Sequence, residues 1–302
     1  MRRISVALAV AIPLLATAPA CKLASRNRVQ SINRMNEGIK LEAKNNTSQA
    51  ERALKESIEL DPTHAKAHYT LGQIYRKQGK LVDAQKAFTD AIANMDEAPN
   101  ADYAYNLGVV IAAQGDAQGV SQSDQEAKYN EAIKAFQDAI KIKPNHYKAH
   151  YRTGVLYERL DQPQQADQAL REAIKHKPSY APAFVSLGNM YIDYGHANVA
   201  MAVLQLGTQV NDKDARMWNG LGRALLSLNK PDEAVEAFKK AKAIDPDMVD
   251  VLFGLGMAYA DLRQRKDSVE NLQAFLQRAG NDVPEDRKKA ANNTIARMQD
   301  VI

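Results

Sequence analysis

Two pairs of histidines have the spacing of metal ligands on a helix. His64 and His68 are four residues apart, and so are His146 and His150, which would place each pair on one helix face. A zinc hydrolase of this type also carries a glutamate directly after its first histidine, whereas this chain has alanine and tyrosine there. Both pairs fall at equivalent positions of a repeated sequence pattern, so side-chain packing explains their spacing. We therefore expect no metal ion at either pair.

Other signatures of catalysis are missing from the sequence. It contains no nucleophile elbow, no phosphate-binding glycine loop and no dinucleotide-binding fingerprint. The 36 aspartates and glutamates are scattered along the chain, so no two of them stand out as an acid–base pair. We expect a protein that is not an enzyme, with no cofactor and no small-molecule substrate.

The only cysteine of the chain lies at the end of a predicted secretory signal. Met1-Arg2-Arg3 precedes an apolar run from Ile4 to Ala16, then come Ala18-Pro19-Ala20 and Cys21. This order is typical of a secretory signal peptide, and the run is shorter than the roughly 20 residues of a membrane-spanning helix. The arrangement resembles a bacterial lipoprotein signal, which implies that residues 1–20 are removed and Cys21 is acylated. In that resemblance Lys22 favours sorting to the outer membrane, facing the periplasm.

Two alternatives stay open at this end of the chain. Ordinary cleavage would leave an unmodified Cys21 thiol on a soluble periplasmic protein. After the predicted signal peptide, four cations, at positions 22, 26, 28 and 34, come before the first acidic residue, Glu37. They predict a basic tether over residues 21–30 that could favour anionic lipid headgroups, although a merely solvated linker explains them equally well. Nothing in the charge pattern indicates a nucleic-acid-binding face.

Most of the remaining chain repeats every 34 residues. The pattern is clearest in Trp218-x2-Leu221-Gly222-x2-Leu225, followed by Ala234-x3-Phe238-x2-Ala241 and Pro246. In this pattern the chain resembles the tetratricopeptide-repeat (TPR) family. The same spacing recurs up and down the chain, which gives the repeats 31–64, 65–100, 101–146, 147–180, 181–214, 215–248 and 249–282.

The resemblance implies an all-α, right-handed TPR superhelical solenoid of about seven helix pairs. Glycine at the eighth position of a repeat and alanine at the twentieth would let the first helix of a pair approach the second closely. One helix pair cannot bury its apolar face alone, so the last pair needs a cover. Residues 283–302 are predicted to supply this capping helix, with an apolar stripe formed by Ala291, Ile295, Met298 and Ile302.

The third repeat is twelve residues longer than the 34-residue repeat. The excess falls between its two helices, in a polar stretch from Gly115 to Asp124 that contains two glycines. Such a composition predicts a flexible loop. The loop is either a tolerated insertion or a contact site for a partner.

In the family, the first helices line a concave groove with repeat positions 2, 5, 6, 9 and 12, which we call the groove face. Aromatic and arginine side chains on a rigid surface are typical of protein-binding hot spots. The resemblance therefore implies a groove that holds another protein or an extended peptide segment. The candidate partner-binding residues are Tyr69, Gln73, Tyr105, Asn106, Lys148, Tyr151, Arg152, Arg216, Asn219 and Arg223.

Part of this set resembles the carboxylate clamp of chaperone-binding TPR proteins. Asn106, Lys148 and Arg152 match three of the five clamp positions, which implies a partner with an acidic or C-terminal segment. Tyr69 and Gln73 stand where the clamp has lysine and asparagine. A groove that is solvated and has no dedicated ligand stays open as the alternative.

These features together predict a non-catalytic scaffold that is lipid-anchored in the bacterial outer membrane. By analogy with envelope TPR lipoproteins, it would assist assembly of a complex of the pilus or secretin, secretion or gliding-motility type. The alternative is a soluble periplasmic chaperone or a regulator of a cell-wall enzyme.

Overall fold

The structure, a computed structural model, describes residues 18–95, 99–281 and 283–299, with side chains from residue 26 onward. The predicted signal segment up to residue 17, the Cys21 side chain and Ile302 lie outside the described residues. Contacts divide the chain into two compact units, residues 1–113 and 114–302, and each is described by itself.

The described residues form α-helices and no β-strand, as the sequence predicts. The helices are α1 (Ala18–Ala43), α2 (Thr47–Leu60), α3 (Ala65–Lys77), α4 (Leu81–Ala93), α5 (Ala101–Gly115), α6 (Gln122–Ile142), α7 (Tyr147–Arg159), α8 (Pro163–His176), α9 (Ala181–Asp193), α10 (Ala197–Val210), α11 (Ala215–Ser227), α12 (Pro231–Ile244), α13 (Val249–Asp261), α14 (Arg265–Arg278) and α15 (Glu285–Gln299). Six first helices, α3, α5, α7, α9, α11 and α13, begin at the first residue of a repeat.

Consecutive helices pack as pairs, and the pairs stack. In the first unit α1 packs on α2, α3 packs on α4, and α2 contacts α3. In the second unit the pairs α7/α8, α9/α10, α11/α12 and α13/α14 follow one another, joined by contacts such as α10 with α11 and α12 with α13. The predicted all-α architecture of repeated helix pairs is confirmed.

Glycine at the eighth repeat position permits the close approach within a pair. A Cβ atom on Gly222 would lie 2.6 Å from the Phe238 ring, and one on Gly188 would lie 2.5 Å from Leu204. Real Cβ atoms essentially never come this close to another heavy atom. In six repeats the residue facing this glycine is fully buried, as Leu54, Phe88, Leu170, Leu204, Phe238 and Leu272.

The turn between the two helices of a pair needs a left-handed backbone at the fifteenth repeat position. Asn45 has φ 61°, Asn229 has φ 56° and Arg263 has φ 57°. Glycine, asparagine and aspartate adopt this region most readily, so Arg263 is the exception. This preference was not predicted from the sequence, although the fifteenth position holds glycine, asparagine or aspartate in five repeats. These residues are Asn45, Gly79, Asp161, Gly195 and Asn229.

In the long third repeat, the loop that the sequence predicted over Gly115–Asp124 is present but shorter. Its second helix, α6, starts at Gln122 and has 21 residues, against 13 or 14 in the other second helices. The Ser121 hydroxyl caps this helix by accepting the Asp124 N–H at 3.1 Å. Only residues 116–121 lie outside the helices, because most of the insertion lengthens α6.

The start of this short connection is also fixed by side chains. The Tyr129 hydroxyl donates to the Asp116 carboxylate at 2.5 Å, and Arg159 donates to the same oxygen at 2.5 Å. Burial opposes ionisation of Asp116, but these hydrogen bonds hold its pKa below the ordinary value. The network ties the insertion to α6 and α7.

The segment 21–30, which the sequence predicts as a basic tether, is helical. It belongs to α1, and Arg28 forms an ion pair with Asp61 at 2.5 Å, which joins the segment to the first repeat. At the other end α15 caps the last pair, as predicted, because Ala291 is fully buried against Leu272 and Phe275. Within the described residues, every helix is too short or too polar to cross a bilayer.

Candidate partner-binding surface

In three repeats the fourth position holds a ring whose N–H group donates to the turn before its own helix. His68 donates from Nε2 to the Pro62 carbonyl at 2.8 Å, and His150 donates in the same way to Pro144 at 2.9 Å. Trp218 donates from Nε1 to the Asp212 carbonyl at 2.8 Å. Each bond reaches back six residues, so the spacing of both histidine pairs follows from the repeat and its packing.

The candidate residues of the first unit bond mainly to one another. Gln73 donates to the Tyr69 hydroxyl at 2.6 Å, and Asn106 donates to the same hydroxyl at 3.1 Å. Asn106 also donates to the Asp102 carbonyl at 2.8 Å and is only 6% exposed. Burial raises the pKa of Tyr69, so this hydroxyl stays protonated at neutral pH. Tyr105 is half-buried on the same helix as Asn106.

The candidate residues on α7 in the second unit are arranged differently. Lys148 and Arg152 are both exposed and lie four residues apart, so they follow one face of the helix. In the part of the chain that the structure describes, neither has a carboxylate within 4 Å. Two cations on this face are therefore available to an acidic ligand.

Three tyrosines lie beside these cations. The Tyr180 ring packs edge-on against Tyr151 at 5.3 Å and against Tyr147 at 4.9 Å. The Lys148 ammonium lies 6.0 Å from the centre of the Tyr147 ring. Each ring contacts a neighbour, and the cluster offers apolar area next to positive charge.

The candidate arginines on α11 are already engaged. Arg216 donates to the Asp214 carboxylate at 2.6 Å, and Arg223 donates to the Asn189 side-chain oxygen at 3.0 Å. Burial opposes ionisation of Asp214, but the hydrogen bonds from Arg216 hold its pKa below the ordinary value. The sequence placed both arginines on the groove face, and these partners were not predicted from it.

Asn219, also on α11, contributes an acceptor. Its side-chain oxygen is buried and accepts no hydrogen bond from the described residues. A donor from a bound segment would satisfy it, since a buried polar atom without a partner costs free energy. The second unit thus combines two free cations, an aromatic cluster and one unused acceptor.

Comparison with known families identifies the repeated unit. Models described as "Tetratricopeptide repeat" match residues 53–86, 70–119, 135–168 and 215–248. The last match coincides with the sixth repeat as read from the sequence.

Several solved structures have the same fold at low sequence identity. A tetratricopeptide repeat protein from Parabacteroides merdae is 15% identical, with 89% of this chain and 98% of that chain covered and a TM-score of 0.59. The pilF protein of Pseudomonas aeruginosa is 18% identical, with 74% and 96% covered and a TM-score of 0.57. PilW, described as a widely conserved type IV pilus biogenesis factor, is 17% identical, with 73% and 96% covered and a TM-score of 0.57.

The curated relatives are much longer proteins. The BBSome complex member bbs-4 of Caenorhabditis elegans is 24% identical over 60% of this chain, which spans 37% of its length. A peroxisomal targeting signal receptor from Kluyveromyces lactis is 34% identical over 22% of this chain, which spans 12% of its length.

Proposed function

Because this chain belongs to the tetratricopeptide-repeat family of protein-interaction scaffolds, we propose that it binds a carboxylate-bearing segment of a partner protein without catalysing a reaction. The proposed site is the groove face of α7, with Lys148, Tyr151 and Arg152 as its main contacts. The single observation that carries the proposal is the pair of exposed cations that have no carboxylate within 4 Å in the described chain.

The chemistry of α7 favours an acidic ligand. An arginine or lysine that bonds a carboxylate forms a stronger hydrogen bond than neutral groups do. Tyrosine adds contact area at a low cost in side-chain entropy. A segment that carries carboxylates can bond to Lys148 and Arg152 while its apolar groups rest on Tyr151.

We place this scaffold at the bacterial outer membrane, anchored through a lipid on Cys21 and facing the periplasm. The position of Cys21 directly after an apolar run and small residues supports the anchor. The likeness of the fold to pilF and PilW supports a role in assembling an envelope complex of the pilus or secretin type. Secretion and gliding-motility complexes are the related possibilities.

Charge reversal on α7 tests the binding site. Lys148→Glu with Arg152→Glu should lower partner binding at least tenfold, or about 1.4 kcal/mol, because like charges would then face the ligand. The matched control is Lys239→Glu with Lys242→Glu, on the exposed surface of α12. The measurement is binding to partners crosslinked in envelope fractions, with circular dichroism melting as the check on folding. A loss of binding in the α12 control alone would contradict the proposal.

The lipid anchor needs its own experiment. We expect Cys21→Ser to move the protein from the membrane fraction to the soluble periplasm and to abolish labelling with palmitate. An unlabelled, soluble parent protein would instead support the alternative, a soluble periplasmic chaperone or a regulator of a cell-wall enzyme.

A further inference from the structure

A cavity of about 590 Å³ opens on the second unit, away from the cations of α7. Its walls come from α9, α11, α12, α13 and the capping helix α15. Its apolar lining residues are Ile192, Leu226, Phe238, Phe253 and Met257. Five polar or charged residues, two arginines among them, line the rest of the cavity.

The floor of the cavity depends on a missing side chain. A Cβ atom on Gly254 would lie 2.5 Å from the Phe238 ring, so any larger residue there would displace that ring. Gly254 occupies the sixth repeat position, where the fourth repeat has Arg152. Phe253 and Met257, one helical turn apart, complete the apolar floor.

One wall of the cavity comes from the cap. Arg287 on α15 donates to the Asp250 carboxylate at 2.7 Å, and its guanidinium lies 4.7 Å from the centre of the Phe253 ring. The ion pair and the cation–π contact hold α15 against α13. The capping helix therefore shapes the cavity besides covering the last repeat.

Charge differs between the cavity and α7. Arg287 pairs with Asp250, and Arg223 lies 3.4 Å from an oxygen of Asp193, so both cavity cations have acidic neighbours. Lys148 and Arg152 on α7 have none within that range among the described residues. A carboxylate therefore gains more at α7, and an uncharged apolar group suits the cavity.

We propose that this cavity takes a large apolar side chain, such as phenylalanine, leucine or methionine, of the same partner segment whose carboxylates bond to α7. The inference rests on the proposed function and adds a second requirement to the ligand. Met257 suits such a role because its flexible thioether adapts to the shape of an apolar guest.

The length of the chain between the two contacts follows from the repeat. Helices α7 and α13 are the first helices of the fourth and seventh repeats, and packed helices lie about 10 Å apart. Three such steps span about 30 Å, which an extended chain covers in roughly nine residues. The ligand is thus an extended segment with acidic residues about nine positions from a large apolar residue.

Synthetic peptides test this on the mature chain carrying Cys21→Ser. One peptide carries two glutamates, a glycine–serine spacer of about nine residues and a phenylalanine. Its match has serine in place of phenylalanine, and both are made in either chain direction. We expect the phenylalanine peptide to bind about tenfold more tightly in one direction. It should also shift the Met257 methyl signal in NMR spectra, which the serine peptide should not.

Two variants locate the effect. Met257→Gln should reduce the preference for phenylalanine at least threefold, whereas Leu206→Gln, at a residue exposed on α10, should leave it unchanged. Lys148→Glu with Arg152→Glu should weaken both peptides alike and keep the preference.

Three results would overturn the inference. Equal binding of the two peptides to the unmodified chain would refute the cavity site while leaving the α7 site standing. So would a phenylalanine preference that Met257→Gln leaves undiminished. Failure of every acidic peptide to bind at about 1 mM would overturn the proposed function and this inference together.

Discussion

The first and sixth repeats share the close approach of their two helices and the left-handed turn between them, but they differ in their buried side chains. In both, glycine at the eighth position faces a buried side chain. A Cβ atom on Gly38 would lie 2.9 Å from Leu54, and one on Gly222 would lie 2.6 Å from Phe238. They differ at repeat positions 1, 27 and 34, where the side chains face one another. The first repeat has Ser31, Ser57 and His64 there, and the sixth has Ala215, Ala241 and Met248.

The polar trio of the first repeat is linked by hydrogen bonds. The Ser57 hydroxyl donates to the Ser31 carbonyl at 2.8 Å, and the Ser31 hydroxyl lies 2.7 Å from Nδ1 of His64. Both serines are fully buried. The comparison teaches that the repeat pattern determines how closely its two helices approach each other, while positions 1, 27 and 34 can hold either polar or apolar side chains. Apolar residues at these positions make only packing contacts. The polar trio makes hydrogen bonds, which require a defined geometry, and it contains a histidine that can take up a proton.

The largest expected effect tests what the two repeats share. Phe238→Ala should destabilise its repeat by about 3–5 kcal/mol, and Leu54→Ala should cost about 2–5 kcal/mol, since both leave cavities in the core. Thermal unfolding and hydrogen exchange on α11–α12 and α1–α2 measure these losses. Leu206→Ala, on the exposed side of α10, should change stability by less than about 0.5 kcal/mol. Losses below about 1 kcal/mol at the two core positions would show that this contact does not hold the repeat together.

Exchanging serine and alanine at position 27 tests the difference in buried side chains between the two repeats. Ser57→Ala removes the donor to the Ser31 carbonyl, which should cost about 1–3 kcal/mol. Ala241→Ser places a hydroxyl among apolar side chains and should cost a similar amount, about 1–3 kcal/mol. Urea unfolding of both variants measures the change. If either substitution stabilised the chain, the native side chain at position 27 would not be the one that its surroundings in that repeat favour.

Proton uptake by His64 should destabilise the first repeat at acidic pH. Burial, reinforced by the positive charge of Arg28, holds the pKa of His64 below the ordinary 6.5, against the opposing effect of Asp61. The unfolded chain therefore binds the proton more tightly, so stability is present above about pH 6.5 and is lost as pH falls through the lower folded-state pKa. Lys66 and His68, close by on α3, add to the unfavourable positive charge.

The readout is hydrogen exchange between pH 7 and pH 5. Protection of α1–α2 should fall more than protection of α11–α12, where Met248 replaces the histidine. His64→Asn, which cannot titrate, should remove the difference. Burial also lowers the pKa of His150, so His150→Asn serves as a control that should change only the response of the second unit. An equal pH response of both repeats in the unmodified chain would refute the role of the trio.

The sequence allowed the repeat and its contacts to be predicted because they depend on spacing. Gly222 and Phe238 are 16 positions apart in a pattern that recurs along the chain, so the register alone pairs them. The length of α6 could not be read in this way, because polar residues with glycine are typical of loops and also tolerated at a helix start. The Ser121 cap was the local signal that was missed.

The candidate site was only partly predictable. Position within the repeat placed Lys148 and Arg152 on one helix face, and the structure agrees. The position of Arg216 in the repeat could not reveal its ion pair with Asp214, because the repeat pattern does not specify ion pairs between residues two apart in the sequence. The cavity beside Arg287 could not be predicted either, since one of its walls comes from the capping helix, which is not part of the repeat.

The smallest expected effect concerns a position at which the two repeats agree. Asn45 and Asn229 both stand at the turn between the helices, with φ 61° and 56°. Asparagine tolerates this left-handed region because its short side chain can bond locally, whereas alanine does not. Asn45→Ala and Asn229→Ala should each cost about 1 kcal/mol or less, and by the same amount within error. Asn→Gly at either site should cost less, because glycine adopts positive φ without steric strain. Paired thermal melts measure all four variants. A markedly larger loss at Asn45 than at Asn229 would show that the first repeat differs from the sixth in its backbone too, and that the polar trio is not the whole of the difference.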